Sequence, residues 1–313
     1  MSIALPVAPR LAPIDTHALK AAVVQLMHDF SLELTPGEMA TMAALPADLP
    51  AGSRVYVTWI PGSDFTRTVA SCARLREAGM LPVPHLAARA IDGPAALARM
   101  LGELQRIAGV DHALLIAGSA ARPAGAFASV ATMLATGLFE QHAFGKLGVA
   151  GHPEGAPDIA APALVDALHH KRDHALRSGT PMHAVTQFCF APEPIVAWER
   201  ELRRAGLGLP VHVGLPGLAS LPKLVRYARH CGVGASAAAL MRRGASVLKL
   251  MTAVAPADTV LGLARARLAD PSCGIERCHF FPFGGFAATT TWAVALGAGA
   301  FRVVDEGRDL RID

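Results

Sequence analysis

The 313-residue chain carries a formal net charge of only +4, and 52% of its residues are hydrophobic against 17% charged. Its basic residues occur as isolated pairs, aromatic residues make up 5%, and no apolar run reaches the roughly 20 residues of a membrane span, so neither nucleic acid nor a membrane is expected as a partner. The composition is typical of a sheet buried beneath helices.

The N-terminal segment MSIALPVAPRLAPIDTH contains three prolines and no long apolar core, which argues against a secretory signal. The five cysteines are widely scattered and odd in number. Free thiols of this kind are typical of a reducing compartment, so the sequence predicts a cytoplasmic protein. Broad apolar helix faces are also compatible with a homo-oligomer.

A Pro-rich arm at 1–15 precedes a helical apolar pattern at 16–27, for which Thr16 is the expected N-cap. Eight short apolar segments then recur along the chain, most of them separated by one helix-length stretch. These predicted strands lie at 28–34, 54–59, 81–86, 112–117, 146–151, 183–190, 210–215 and 276–281. Helices are predicted at 65–78, 93–108, 126–138, 162–178, 192–205, 220–231 and 287–297, with two more in a long insert at 232–270 before the eighth strand.

Strands that alternate with helices form a parallel sheet, and eight such units close into a barrel. The sequence therefore predicts the α/β class and a (β/α)8 TIM barrel, with an N-terminal helical extension over residues 1–27. A single domain over residues 1–313 accounts for the whole chain, because such a barrel needs about 250 residues. Catalytic groups of these barrels lie at the C-terminal ends of the strands.

Glu33 lies near the end of the predicted first strand, in the segment SLELTP at 31–36. A carboxyl group among apolar neighbours at a barrel mouth is expected to have a raised pKa, which suits a general acid near neutral pH. The alternative is a structural glutamate paired with an arginine or lysine of the barrel.

Three further strand ends carry polar side chains. The segment GVAGHPEGAP at 148–157 combines His152 and Glu154 with small residues that allow a ligand to approach the backbone, so it predicts a ligand site. Gln187 lies inside the sixth strand, either as a satisfied core amide or as a group that binds a pterin-like edge. His85 follows Pro84 and is either structural or a cofactor contact.

His170 and His174 have the spacing of two metal ligands on one helix face, but no third ligand is evident nearby in the sequence. No metal site is therefore predicted. The sequence also has no Walker loop, no G-x-S-x-G elbow and no G-x-G-x-x-G after the first strand.

In order and spacing, these motifs resemble the methylenetetrahydrofolate reductase family over nearly the whole chain, from Glu33 to about Phe283. The matching segments are SLE at 31–33, VYVTW at 55–59, PHL at 84–86, GVAGHPE at 148–154, VTQF at 185–188 and HFF at 279–281. The segments after the fifth and sixth strands are the most specific of these.

The resemblance implies a barrel flavoenzyme in which FAD takes hydride from NADH or NADPH and passes it to 5,10-methylenetetrahydrofolate, giving 5-methyltetrahydrofolate. It implies that Glu33 is the acid that protonates the folate nitrogen. The residues implied to contact the cofactor are Thr58, His85, Gly118, Ser119, Ala150 and His152. The residues implied to contact the folate substrate are Gln187, Glu154 and Phe281.

The segment after the fourth strand departs from the family, which has Leu-Arg-Gly-Asp where this chain has Ile-Ala-Gly-Ser at 116–119. Ser119 cannot supply the charge of that aspartate, and the basic residue that meets the FAD phosphate has no firm counterpart, although Lys171 and Arg172 lie nearby. Two alternatives therefore stay open. One is a flavin-free, folate-dependent one-carbon transfer or demethylation enzyme, and the other is a non-catalytic folate-binding barrel.

Overall fold

The computed structural model describes residues 15–60, 62–157, 159–230 and 253–313. The strands are β1 Ser31–Leu34, β2 Arg54–Val57, β3 Leu81–Ala87, β4 His112–Ile116, β5 Lys146–Gly151, β6 Met182–Thr186, β7 Val211–Pro216, β8 Ala219–Ser220, β9 Ala253–Val254, β10 Ile275–Phe281, β11 Phe301–Val304 and β12 Asp309–Ile312. The helices are α1 Thr16–Met27, α2 Pro36–Thr41, α3 Thr66–Glu77, α4 Pro94–Ala108, α5 Val130–Leu134, α6 Leu138–Gln141, α7 Ala161–Ser178, α8 Pro192–Arg204, α9 Leu221–His230, α10 Ala257–Ala269 and α11 Phe286–Gly297.

Eight strands form a closed barrel in the order β1-β2-β3-β4-β5-β6-β7-β10, and every neighbouring pair is parallel. The predicted (β/α)8 barrel is thereby confirmed. The sequences of the strands are mostly apolar because both faces of the strands are buried. The N-terminal extension α1 lies outside the barrel, where it packs against α10 and α11.

Some predicted elements differ from the structure in detail. The helix predicted at 126–138 is split into α5 and α6, because Gly137 has a φ of +67° and a left-handed residue does not continue an α-helix. Asp15, not Thr16, caps α1: its carboxylate accepts hydrogen bonds from the backbone N–H groups of the first turn. Most of the predicted arm and residues 232–252 of the predicted insert lie outside the described residues, whereas α10 accounts for the second predicted helix of the insert.

One helix and two small sheets of the described chain were not predicted. The helix α2 follows β1 directly and begins with a capping box, in which Thr35 and Glu38 satisfy each other's backbone N–H groups. The strands β8 and β9 form a two-stranded antiparallel sheet, and β11 pairs with β12 as a C-terminal hairpin. These elements are too short to give a periodic signal in the sequence.

The interior of the barrel is polar over much of its height. Tyr56, Val83, Leu114 and Val185 form a small buried apolar cluster there. Above and below this cluster lie buried histidines from five barrel strands, which are His85, His112, His183, His212 and His279. Buried polar groups need partners, so this interior is where a bound ligand or unusual proton chemistry is expected.

Candidate active site at the barrel mouth

The side chain of Glu33 reaches the C-terminal mouth of the barrel from β1 and is 16% exposed. The hydroxyl of Thr58 donates a hydrogen bond of 2.9 Å to its Oε1. The Nε2 atoms of His85, from β3, and of His279, from β10, lie 3.3 and 3.5 Å from its Oε2. One hydroxyl and two imidazoles from three different strands therefore surround the carboxylate.

This environment contradicts the raised pKa expected for Glu33. Burial alone raises the pKa of Glu33, but His85 and His279 outweigh it and hold the pKa of this carboxyl well below its usual range. The apolar sequence neighbours of Glu33 gave the wrong expectation, because the groups that set its pKa come from distant strands. Its partners are histidines, not the arginine or lysine of the structural alternative.

A hydrogen bond to Ser31 fixes the ring of His279. Its Nδ1 lies 2.9 Å from the hydroxyl of Ser31, and the Ser31 and His279 backbones are paired across β1 and β10. Burial lowers the pKa of His279, although the nearby Glu33 carboxylate opposes this shift. Ser31 is 1% exposed, which excludes it as a nucleophile for a substrate. Its role is to orient the imidazole toward Glu33.

An aromatic cluster adjoins the acid. The ring of Phe281, at the end of β10, lies 4.8 Å from the ring of His279 and 5.7 Å from that of Phe188. Phe283 stacks on Tyr227 of α9 with ring centroids 4.3 Å apart. Such a surface suits a flat heterocycle, since aromatic faces stack favourably. The predicted substrate residue Phe281 therefore lies beside His279, which in turn contacts the predicted acid Glu33.

Gln187 is the first residue after β6, so the prediction that it lies inside the strand is wrong. Its side chain is half-buried, and its backbone N–H donates to the carbonyl of Gly151. In the described part of the chain, no hydrogen bond of its side-chain amide is present. The amide is therefore positioned beside Phe188 with its donor and acceptor available.

The turn that carries Gln187 passes directly over Gly214 of β7. A Cβ on Gly214 would lie 2.2 Å from the carbonyl oxygen of Thr186 and 2.7 Å from that of Gln187. The Thr186 hydroxyl also accepts a hydrogen bond of 2.8 Å from the Gly214 N–H. The glycine thus permits the close approach that places the amide at the mouth.

We expect Gly214→Ala to destabilise the fold by about 1–3 kcal/mol, the usual cost of overpacking, because backbone atoms must move. Urea unfolding measures this change. Gly208→Ala is the matched control, since a Cβ there meets no atom within 4 Å. Equal stability of the two variants would contradict the close approach.

His152 and Lys171 lie together on the side of the mouth formed by β5 and α7, where Lys171 supplies the positive charge. Burial, and secondarily the charge of Lys171, lowers the pKa of His152 to about 4. Lys171 is only 8% exposed, and burial lowers its pKa to about 8. No hydrogen bond or ion pair of its ammonium is present within the described residues. A buried cation of this kind fits an anionic group of a ligand.

The remaining predicted residues lie at the ends of β4 and β5. Gly118 has a φ of +86° and leads to Ser119, which is exposed, and Ala150 is half-buried within β5. Glu154 lies in the turn after β5, near Cys189, whose thiol pKa is raised by burial and further by the Glu154 carboxylate. The predicted residues are thus split between a group around Glu33 and a group beside Lys171.

Two of the residues predicted to contact the cofactor contact the carboxylate of Glu33 instead. Thr58 donates to Glu33 and His85 contacts it, so both side chains are already engaged. His279 and Lys171 also lie at the mouth, although neither was predicted as a site residue. The sequence could have identified His279, because alternate residues of a strand point to the same face and His279 is at an inward-facing position of the eighth strand.

Among the described residues, no group of three or more His, Cys, Asp or Glu side chains is arranged to hold a metal ion. His174 contacts Glu140 instead, with its Nε2 2.8 Å from the carboxylate. Nor is any helix in the described ranges long and apolar enough to cross a membrane.

No family model matches the sequence. An uncharacterized protein from Clostridium thermocellum that binds two copies of 5-methyl-5,6,7,8-tetrahydrofolic acid is similar in structure, with 13% identity, 89% of this chain and 97% of that chain covered, and a TM-score of 0.52. Dihydropteroate synthase from Thermus thermophilus has 16% identity, 86% and 92% coverage and a TM-score of 0.42. A family 18 chitinase from Crocus vernus has 7% identity, 84% and 95% coverage and a TM-score of 0.44. At 13% identity the likeness to the Clostridium thermocellum protein is one of fold, in keeping with the closed barrel seen here.

Proposed function

We propose that this chain binds a reduced folate at the C-terminal mouth of its barrel and reduces 5,10-methylenetetrahydrofolate to 5-methyltetrahydrofolate. The observation that carries the proposal is the carboxylate of Glu33, held by one hydroxyl and two imidazoles beside an aromatic cluster. The motif order supports it, and so does the Clostridium thermocellum barrel described as binding 5-methyltetrahydrofolate.

The acid of the reaction is the unit formed by Glu33, His85 and His279. Opening of the methylene bridge leaves a folate nitrogen that must gain a proton. Glu33 is the most accessible member of the unit, so a proton that an imidazole takes up reaches that nitrogen through its carboxylate.

Folate recognition falls to Gln187 and the aromatic cluster. The amide offers both a donor and an acceptor to the pterin edge, and Phe281 and Phe188 offer ring faces or edges to its planar rings. Burying the pterin against these groups keeps water away from the carbon that is reduced.

The basic side of the mouth fits FAD, whose diphosphate is anionic. His152 and Lys171 are the residues of this chain that would hold it, since Lys171 as a whole is 8% exposed and its ammonium has no hydrogen bond or ion pair within the described chain. When bound, the flavin supplies hydride transfer from NADH or NADPH to the folate carbon. Gly118, Ser119 and Ala150 contribute small surfaces at neighbouring strand ends.

A second function is favoured by the engagement of Thr58 and His85 with Glu33 and by the serine at position 119. These features leave fewer polar groups for a flavin ring, and they suit an enzyme that transfers a one-carbon group to or from tetrahydrofolate without redox chemistry. The acid, Gln187 and the aromatic cluster would serve that reaction equally.

The deciding experiment measures folate and flavin binding separately. Tetrahydrofolate binding is measured by calorimetry, and the absorbance spectrum is recorded after FAD addition and desalting. Retained flavin, together with nicotinamide oxidation that depends on 5,10-methylenetetrahydrofolate, supports the reductase. Folate binding by a colourless protein supports one-carbon transfer or a purely binding role. A protein that binds no folate overturns both proposals.

We expect Lys171→Met to weaken FAD retention by at least about tenfold, because methionine keeps the length of the side chain but removes its charge. Folate affinity should remain unchanged. The flavin absorbance per protein after desalting gives the result. Lys20→Met is the control, since Lys20 binds the carbonyl of Phe301 on the outer surface of the barrel. Equal FAD retention by the wild type and Lys171→Met would remove Lys171 from the cofactor site.

A further inference from the structure

The opposite, N-terminal mouth of the barrel is lined by nitrogen-bearing side chains. Arg54, His112 and Lys146 are the first residues of β2, β4 and β5. His212 of β7 pairs in register with Arg277 of β10, and His112 pairs with Lys146. The charges of Arg54, Lys146 and Arg277 all lower the pKa of His112 after burial, so these cations lie within electrostatic reach of one point.

The positive charge of this mouth faces inward. Arg54 and Arg277 are 20% and 18% exposed, whereas Asp29, which lies 3.6 and 3.0 Å from them, is 51% exposed. Glu276, a second carboxylate of the mouth, is 43% exposed, and Asp111, which directly precedes β4, is also exposed. Lys146 is half-buried and has no ion pair in the described chain. The three cations therefore lie further inward than the carboxylates, which lie toward the solvent.

A buried ring nitrogen above this mouth has no hydrogen-bond partner in the part of the chain that the structure describes. The hydroxyl of Tyr56 lies 3.1 Å from Nε2 of His183. Burial lowers the pKa of His183 well below its usual value, so the ring is neutral. In the tautomer with its hydrogen on Nδ1, Nε2 accepts from Tyr56 and Nδ1 offers an N–H group. His183 is fully buried, and Nδ1 has no hydrogen-bond partner within the described residues.

The neighbours of His183 do not satisfy this N–H group. His212 stacks on it with ring centroids 4.0 Å apart and planes 31° apart, so the in-plane N–H does not point to the other ring's nitrogen. His112 lies edge-on at 5.2 Å. Nε of Arg277 is likewise buried without a partner in the described part of the chain. The Arg277 Nε–H group is a donor in every protonation state, and a buried donor left unsatisfied is unfavourable, so an acceptor at this place is favoured.

We propose that the N-terminal mouth of the barrel binds one small monovalent inorganic anion of the chloride class. An anion accepts from the His183 and Arg277 N–H groups and is attracted by the Lys146 ammonium. A small monovalent anion suits this place better than a phosphate dianion, since Arg54 and Arg277 are already paired with carboxylates on their solvent side. The three cations repel a metal ion from the same place. The site is independent of the proposed folate chemistry.

The test uses bromide as a heavier substitute for chloride. Crystals of the full chain soaked in sodium bromide should show anomalous density within hydrogen-bond distance of His183 Nδ1 or Lys146 Nζ. In solution, the unfolding constant in urea is measured as chloride replaces gluconate, a much larger anion, at constant ionic strength. It should fall about tenfold when chloride reaches ten times its dissociation constant.

Lys146→Met should abolish this chloride dependence, whereas Lys223→Met, which changes a half-buried lysine after β8 at the other end of the barrel, should keep it. The bromide density decides the question on its own if Lys146→Met does not fold. A mouth without bromide density overturns the proposal. So does a chloride dependence that is equal in the wild type and in Lys146→Met, because the anion would then act at the general surface.

Discussion

Glu33→Gln is expected to lower turnover of 5,10-methylenetetrahydrofolate by about 10²–10⁴-fold, the usual contribution of general acid catalysis. Glutamine keeps the shape of the side chain and can still accept from the Thr58 hydroxyl, but it cannot take a proton from His85 or His279 and pass it on. Folate affinity is expected to change much less than turnover, because Gln187 and the aromatic cluster are untouched.

Steady-state kinetics with saturating folate checks this expectation, and tetrahydrofolate binding provides a separate readout. Glu77→Gln is the matched control, since Glu77 is an exposed residue at the end of α3. A Glu33→Gln protein with unchanged turnover would remove Glu33 from the mechanism while leaving the folate site in place. A protein that has lost folate binding as well would identify Glu33 as a binding group.

The barrel could be predicted from the sequence because its signal is local. Each strand is a short apolar run and each helix has its own periodicity, so a count of units is enough to close the barrel. The elements that escaped prediction are α2 and the two small sheets, whose formation depends on caps and tertiary contacts. The helix predicted at 126–138 failed at Gly137, a single left-handed residue.

The site was predictable in position and not in chemistry. Glu33 does lie at the mouth, but its pKa is set by His85 and His279. These residues are far away in the sequence, so the segment SLELTP gives no sign of them. The engagement of Thr58 with Glu33 is likewise a contact between strands. Lys171 lies on a helix whose register toward the mouth depends on how α7 packs, so its burial could not be derived from the order of residues.

The buried histidines of the barrel are expected to make the protein unfold in mild acid. Burial lowers the pKa of His112 to about 3, with Lys146 and Arg54 adding to this shift, and burial lowers that of His212 to about 4 although Glu276 opposes it. Below pH 6.5 the unfolded chain takes up protons on these rings that the folded chain refuses. Their stability contribution is therefore complete above pH 6.5 and is lost as the pH falls toward 4.

Each such histidine contributes a slope of about 1.4 kcal/mol per pH unit below pH 6.5, so His112 and His212 together remove about 5 kcal/mol between pH 6.5 and 4.5. This loss is comparable with the whole stability of many domains, about 5–15 kcal/mol.

Urea unfolding at fixed chloride from pH 7.5 to 5 gives the slope directly. His112→Phe should reduce the slope by about 1.4 kcal/mol per pH unit, which corresponds to the uptake of one proton. His17→Gln, on the exposed face of α1, should leave the slope unchanged. A wild-type stability that does not vary between pH 7.5 and 5 would show that the rings are protonated in the folded barrel, and the assignment of His183 Nδ1 as a neutral donor to an anion would fall with it.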